Sequence, residues 1–376
     1  MNYRACIILR ERLKKNWSQE GLCKGICTVS YLSKIESGKA EPSEEIMNLL
    51  FERLQLDYRP ELENEAAQLA EKGFEQLLSF RFDELERLLA NADLARLKVT
   101  ASGLELELLD AARAMNKALD KELEVCMDNR SLAIQRIMQG REDEAAKIYP
   151  CAYTVLVCGI SAYVDGNFSK ALDRLQSAYR LAAEEGRAEI MLQCKLFMGN
   201  SFCNQQDFDN MLRHYTVARR LAESIGDRRS IEAIEYNTAS AWVEAGRYEE
   251  AYAWFSELGS PGLMALHKLA ICCEKTGRKA EGLEALNRAR GKKSEDIAED
   301  LAVQMLELVR FRLENENYLS CEEYGDMLII CFERCRSELG SGYAIFHLPW
   351  VLEWYKASRQ YKKACELMES FPAVRR

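Results

Sequence analysis

A repeated pattern at intervals of 40 residues restricts the fold more than any other feature of this sequence. Each copy has a polar or glycine-containing turn, an aromatic residue and then a helical stretch, with the aromatics at Phe168, Phe208 and Tyr248. Weaker copies place Lys279, Tyr318 and Tyr361 at the same position, and degenerate copies lie near residues 80 and 140. A fixed period of this length with helical spacing predicts stacked helix pairs. We therefore predict an all-α protein.

The order of turn, aromatic and small residue is typical of tetratricopeptide repeats. Ala171, Ala251 and Ala364 take the small position of the second helix, and Gly159 and Gly199 that of the first helix. Small residues let the two helices approach closely, and the aromatics are interpreted as packing residues. The pattern predicts a right-handed solenoid with a concave inner wall.

Polar and aromatic side chains on the inner helices are the candidates for ligand binding. Asparagine both donates and accepts hydrogen bonds, so two asparagines can hold an extended peptide backbone. The candidates for peptide binding, counted from the repeat pattern, are Tyr153, Tyr163, Gln193, Asn200, Asn204, Tyr236, Asn237, Glu244 and His267.

The charge of the chain is divided unevenly. Residues 1–40 have a net charge of +5, whereas the whole chain has a net charge of -9. A basic head on an acidic body is typical of a small DNA-binding module joined to a part with another role. The Asp57–Pro60 segment interrupts the helical pattern. We therefore predict a DNA-binding domain at 1–59 and a regulatory, dimerising repeat domain at 60–376.

Helix-capping residues divide the head into short helices. The first helix is predicted over Tyr3–Lys15, and Ser18 and Thr28 are predicted N-caps of the next two. Gly38 is expected to end the third helix near Glu36, and a last helix is expected to start at residues 42–43. Two short helices with a glycine-containing turn favour a helix-turn-helix.

The stretches "RLKKNWSQEGL" and "GICTVSYLSKIESGK" resemble the helix-turn-helix of the lambda-repressor or XRE superfamily, and the second is especially similar to the head of PlcR-type regulators. The resemblance implies that Arg12 and Glu36 form a structural pair between the first helix and the recognition helix. It also implies DNA contacts from Ser18, Gln19, Thr28, Val29, Ser30, Tyr31, Lys34 and Lys39.

A helix-turn-helix head followed by tetratricopeptide repeats is similar to the RRNPP family of quorum-sensing regulators. The resemblance implies a homodimer that binds a double-stranded DNA operator and whose DNA binding is modulated by a short signalling peptide. Two alternatives stay open at this point. One is a repressor whose repeat body recruits a protein partner, and the other is a phage lysis–lysogeny regulator of the same architecture.

Other classes of protein find no support in the sequence. It has no phosphate-binding glycine-rich loop and no nucleophile elbow, so we expect neither an enzyme nor a cofactor. The 14 cysteines form no C-x2-C pair, and the three histidines are far apart, which argues against a metal site. Without an export signal or a long apolar run, the chain is expected to be cytoplasmic, with no membrane partner and with reduced cysteines.

Overall fold

The computed structural model describes residues 3–114, 117–293, 297–340 and 344–371. These residues form helices joined by short connections, and no strand occurs within the described ranges. The prediction of an all-α protein is therefore confirmed. The chain packs into two compact units, Met1–Cys158 and Gly159–Arg376. The functional division predicted at residues 59 and 60 falls inside the first unit and remains a prediction.

The first unit begins with four short helices and continues with helices of varied length. Its helices are α1 (Tyr3–Lys14), α2 (Gln19–Cys23), α3 (Val29–Glu36), α4 (Glu44–Arg53), α5 (Glu63–Leu78), α6 (Phe82–Ala90), α7 (Leu94–Leu97), α8 (Gly103–Arg113), α9 (Asn129–Met138), α10 (Glu142–Ile148) and the start of α11 (Ala152–Val164).

Side-chain caps set the starts of the early helices, as the sequence predicts. Ser18, Thr28 and Ser43 each accept a hydrogen bond from the backbone N–H three residues later. Each cap satisfies one of the N–H groups that a helix start leaves without a partner. Gly38, with φ of 70°, follows the end of α3 in the left-handed conformation that glycine adopts easily.

Helix α1 packs against both the helices beside it and the helices that follow. On one side, Leu32 and Ile35 of α3 are fully buried in the core of the first four helices. On the other side, Leu9 packs with Leu104 of α8, and the buried Arg10 donates a hydrogen bond to the carbonyl of Lys98. The first four helices are therefore held by residues that lie beyond 59 in the chain.

The second unit consists of successive helices that pack against their neighbours in the chain. They are the end of α11, α12 (Phe168–Glu185), α13 (Ala188–Asn204), α14 (Phe208–Ile225), α15 (Arg228–Glu244), α16 (Tyr248–Ser256), α17 (Leu263–Lys275), α18 (Lys279–Ala289), α19 (Glu299–Glu314), α20 (Glu322–Arg334), α21 (Leu348–Ala357) and α22 (Tyr361–Ser370).

The helix starts in this unit fall at the repeat positions that the sequence predicts. Phe168, Phe208, Tyr248, Lys279 and Tyr361 are each the first residue of an α-helix, and Tyr318 is the first residue of a short 3-10 helix. The residues at the small position are buried, as expected for the contact between paired helices. The body is therefore a helical repeat array, as the sequence predicts.

Gly199 shows why the first helix of a repeat needs a small residue. A Cβ atom added at Gly199 of α13 would lie 2.3 Å from Cε1 of Tyr215 on α14. A Cβ at Gly159 would lie 2.8 Å from the side chain of Leu175 on α12. Both glycines therefore allow an aromatic or aliphatic side chain of the partner helix to pack directly on the backbone.

None of the helices in the described ranges is long and apolar enough to cross a membrane. Among the described residues no disulfide joins any of the 14 cysteines, and most of these side chains are buried or half-buried. Within the part of the chain that the structure describes, no group of histidine, cysteine and carboxylate side chains could hold a metal ion.

Candidate functional site

The exposed face of α3 is the first candidate site. Val29, Ser30 and Lys34 are exposed there, while Leu32 and Ile35 on the opposite face are fully buried. Lys39 is exposed just beyond the end of the helix. This arrangement presents a cation and small polar groups on a helix surface that is held rigidly from behind, which suits insertion into the major groove of DNA.

The other predicted DNA-binding residues already have partners inside the protein. Ser18 and Thr28 are caps, and the hydroxyl of Tyr31 donates to the backbone carbonyl of Glu41 at 3.3 Å. The amide nitrogen of Gln19 donates to Oε2 of Glu36 at 2.7 Å. These four side chains hold α2 and α3 in place, and DNA contact by any of the eight predicted residues remains a prediction.

The structural pair implied by the family resemblance is confirmed. Nε of Arg12 donates to Oε1 of Glu36 at 2.6 Å, and Nη2 donates to Oε2 at 3.0 Å. Both side chains are buried, and Nη1 of Arg12 donates to the carbonyl of Trp17 at 2.8 Å. A bidentate buried pair of this kind fixes the orientation of α3 against α1.

The second candidate site is a cavity of about 650 Å³ in the second unit. Six of the predicted peptide-binding residues line it: Tyr163, Asn200, Asn204, Tyr236, Asn237 and Glu244. They come from α11, α13 and α15, the first helices of successive repeats. The repeat pattern thus predicted one wall of the cavity.

Hydrogen bonds join asparagines and tyrosines of this wall in a network of two groups. Oδ1 of Asn200 accepts from the hydroxyl of Tyr215 at 2.5 Å and from Nδ2 of Asn237 at 3.5 Å. Nδ2 of Asn204 donates to the hydroxyl of Tyr163 at 3.3 Å. The network fixes the rotamers of the amides at the cavity surface, so the wall presents polar groups in defined directions.

A second part of the cavity wall was not predicted from the sequence. It contains Lys268 of α17 together with Phe346 and His347, which precede α21. Lys268 is buried, and its Nζ lies 2.9 Å from the centre of the Phe346 ring. Burial lowers the pKa of Lys268 to about 8, and the charge of Glu244 opposes this shift. Burial likewise raises the pKa of Glu244, against the effect of Lys268.

A smaller cavity of about 460 Å³ adjoins the first. The two share Asn204, Glu244 and Phe346 as lining residues. Trp350 and Glu353 of α21 also line the smaller cavity. Together the two cavities provide a continuous surface with amide, aromatic and charged groups, which is the composition expected of a site for a short peptide.

Three of the predicted peptide-binding residues do not line either cavity. Tyr153 is buried in the first unit, where its ring lies 6.4 Å from that of Phe80. Gln193 precedes Asn200 by about two helical turns, or roughly 10 Å along α13, so it lies beyond the cavity. His267 is fully buried in the core, because adjacent helix residues point about 100° apart and Lys268 faces the cavity instead.

Comparison with known proteins identifies the head. Residues 8–59 match the helix-turn-helix family model. The head is a helix-turn-helix domain. No curated protein sequence matches the chain.

The chain also resembles two solved structures. The crystal structure of Rap protein complexed with competence and sporulation factor shares 14% identity at a TM-score of 0.58, covering 83% of this chain and 98% of that one. Bacillus thuringiensis PlcR in complex with the peptide PapR7 and DNA shares 15% identity at a TM-score of 0.29, covering 76% of this chain and 100% of that one. The first likeness shows a common fold.

Proposed function

We propose that the protein is a cytoplasmic transcriptional regulator of the RRNPP type, whose repeat body binds a short signalling peptide that modulates DNA binding by a homodimer. The observation that carries the proposal is the combination of a helix-turn-helix domain with a cavity in the helical repeat body that amide, aromatic and charged side chains line. Neither feature alone would indicate ligand-controlled DNA binding.

The DNA-binding part of the proposal rests on the head. The domain match, the exposed face of α3 and the basic bias of residues 1–40 agree with one another. Lysine and arginine that neutralise phosphates supply much of the affinity for DNA. In a dimer, two copies of α3 would reach half-sites about one helical turn apart, or a multiple of that distance.

The peptide-binding part rests on the asparagine network of the cavity. Amide side chains that are already oriented can bond both the N–H and the C=O groups of an extended backbone. Rap protein, which has a similar fold, was crystallised with competence and sporulation factor. That precedent supports a ligand-binding role for the body.

Coupling between peptide and DNA requires a ligand that prefers one arrangement of the dimer. A peptide shifts the equilibrium only by the difference between its affinities for the two states. Within the first unit, residues beyond 59 contact α1 through Arg10 and Leu9. We propose that these contacts transmit the effect of peptide binding to the DNA-binding head.

Selection of random DNA by the full-length protein, followed by thermal-shift screening of short random peptides, tests the proposal. We expect an enriched DNA motif with two half-sites and a class of peptides that raises the melting temperature. Asn237→Ala should weaken peptide binding, and the matched control Asn64→Ala, on the exposed surface of α5, should not. Stabilisation by a captured protein but by no peptide would contradict the proposal and favour a protein-recruiting repressor.

A further inference from the structure

One wall of the larger cavity has a buried ammonium group that forms no ion pair with a carboxylate of the described residues. Lys268 is 6% exposed, and among the described residues no carboxylate oxygen lies within 4.0 Å of its Nζ and no acceptor is hydrogen-bonded to it. Its contact is the face of the Phe346 ring. An ammonium removed from water without a partner destabilises a fold, so a retained one indicates that something else occupies its open side.

Two carboxylates of the described residues line the same cavity, and neither serves as this partner. Oε1 of Glu338 accepts from Nε of Arg334 at 2.7 Å and is thereby engaged. Oε2 of Glu244 contacts the Sγ of Cys203 at 4.0 Å. Glu244 acts on Lys268 through space, but at more than ion-pair distance.

His347 provides a second, independent observation on the same wall. It is 1% exposed, and neither of its ring nitrogens has a hydrogen-bond partner. A hydrogen bond with Cys331 lowers the pKa of the neighbouring Cys335 thiol to about 5, and the contact with His347 adds to this effect. Buried polar side chains are nearly always hydrogen-bonded, so an imidazole and an ammonium that line the same cavity without an acceptor indicate that an acceptor is missing there.

We propose that Lys268 and His347 form a subsite for a carboxylate of the bound peptide. The inference rests on the proposed function, because it names the chemical class of the ligand in that cavity. A carboxylate accepts several hydrogen bonds and neutralises the ammonium, and charge-assisted bonds of this kind are stronger than neutral ones. The carboxylate is supplied either by the C terminus of the peptide or by an aspartate or glutamate side chain.

Four pools of random six-residue peptides distinguish these sources. One pool has a free C terminus and no acidic residue, one an amidated C terminus with a single acidic residue, one both groups and one neither. Each pool is incubated with the full-length protein, and retained peptides are identified by mass spectrometry. We expect retention of at least one carboxylate-bearing pool and little retention of the pool with neither group.

Variants then assign the effect to the subsite. Lys268→Met should weaken binding of the retained peptides by roughly tenfold to a hundredfold, the loss expected for one charge-assisted hydrogen bond. Lys279→Met, the same change at an exposed position outside both cavities, should leave binding unchanged. Glu244→Gln should tighten binding, because it removes the nearest anion from the subsite.

The outcomes separate this inference from the proposed function. Equal retention of all four pools, or binding that Lys268→Met leaves unchanged while its thermal melt stays cooperative, would overturn the carboxylate subsite and leave peptide binding intact. Weaker binding by Glu244→Gln would also overturn it, since the ligand would then be a cation. Retention of no pool would overturn peptide binding and this inference together.

Discussion

Replacing Gly199 by alanine should destabilise the protein through the packing that supports the cavity. The added Cβ would lie 2.3 Å from Cε1 and 2.4 Å from Cδ1 of Tyr215. Real Cβ contacts are almost always longer than 3.0 Å. The ring of Tyr215 must therefore move by roughly 1 Å, although it is buried and its hydroxyl is bonded to Asn200.

Two opposing effects decide the magnitude. Alanine within a helix is favoured over glycine by up to about 1 kcal/mol. Overpacking of a filled core costs about 1–3 kcal/mol, and loss of the Tyr215–Asn200 hydrogen bond costs a further ~0.5–1.5 kcal/mol. The steric effect is larger, so the net loss of unfolding free energy should be about 1–3 kcal/mol. A unit of this size should then melt ~2–10 °C lower.

Differential scanning calorimetry of Gly199→Ala measures this loss. The matched control is Gly259→Ala, because Gly259 has open space around its Cβ position and no positive φ. The control should change the free energy of unfolding by less than about 0.5 kcal/mol. Adding Tyr215→Leu to Gly199→Ala should recover stability, since the smaller side chain removes the collision. Equal melting temperatures for the two alanine variants would refute the packing argument.

Three further changes test the head and the body. Glu36→Gln leaves the buried Arg12 without its counter-charge and should cost ~3–5 kcal/mol in a urea melt, whereas Glu41→Gln on the surface should cost little. Lys34→Ala should weaken binding to all DNA sequences and reduce the slope of log affinity against log salt concentration by about 1. An unchanged slope would show that Lys34 does not contact DNA phosphate. Burial, aided by Lys195, lowers the pKa of His214 from 6.5 to about 4. The contribution of neutral His214 to the free energy of unfolding is therefore fully present above pH 6.5 and is lost as the pH falls towards 4. We expect this loss to be about 1–2 kcal/mol, because the ring is only half-buried and solvent screens its charge. The variant His214→Gln should abolish this pH dependence.

The head could be predicted in detail because its signals are local. Ser18, Thr28 and Ser43 cap helices through bonds to residues three positions away, and Gly38 marks a helix end by its own conformation. Such signals do not depend on distant parts of the chain. The helix starts of the body were equally predictable, because each repeat carries the same packing requirement.

The cavity could be predicted only where the repeat pattern continues into it. Asn200 and Asn237 occupy matching faces of successive inner helices, so counting along the repeats placed both at the cavity. The sequence analysis chose His267 as a cavity residue and not its neighbour Lys268, because lysine is seldom buried. Adjacent residues of a helix point in different directions, so an error of one position is enough to select the wrong side chain. Phe346 lies in a connection outside the repeat, where no periodic signal exists.

The most direct test of the account is fluorescence anisotropy of the full-length protein on a DNA duplex recovered by selection, with and without a saturating peptide from the retained pools. We expect the peptide to change the Kd for DNA by about 5–150-fold, and DNA to change the affinity for the peptide by the same factor. A Kd for DNA that stays the same at saturating peptide would contradict it.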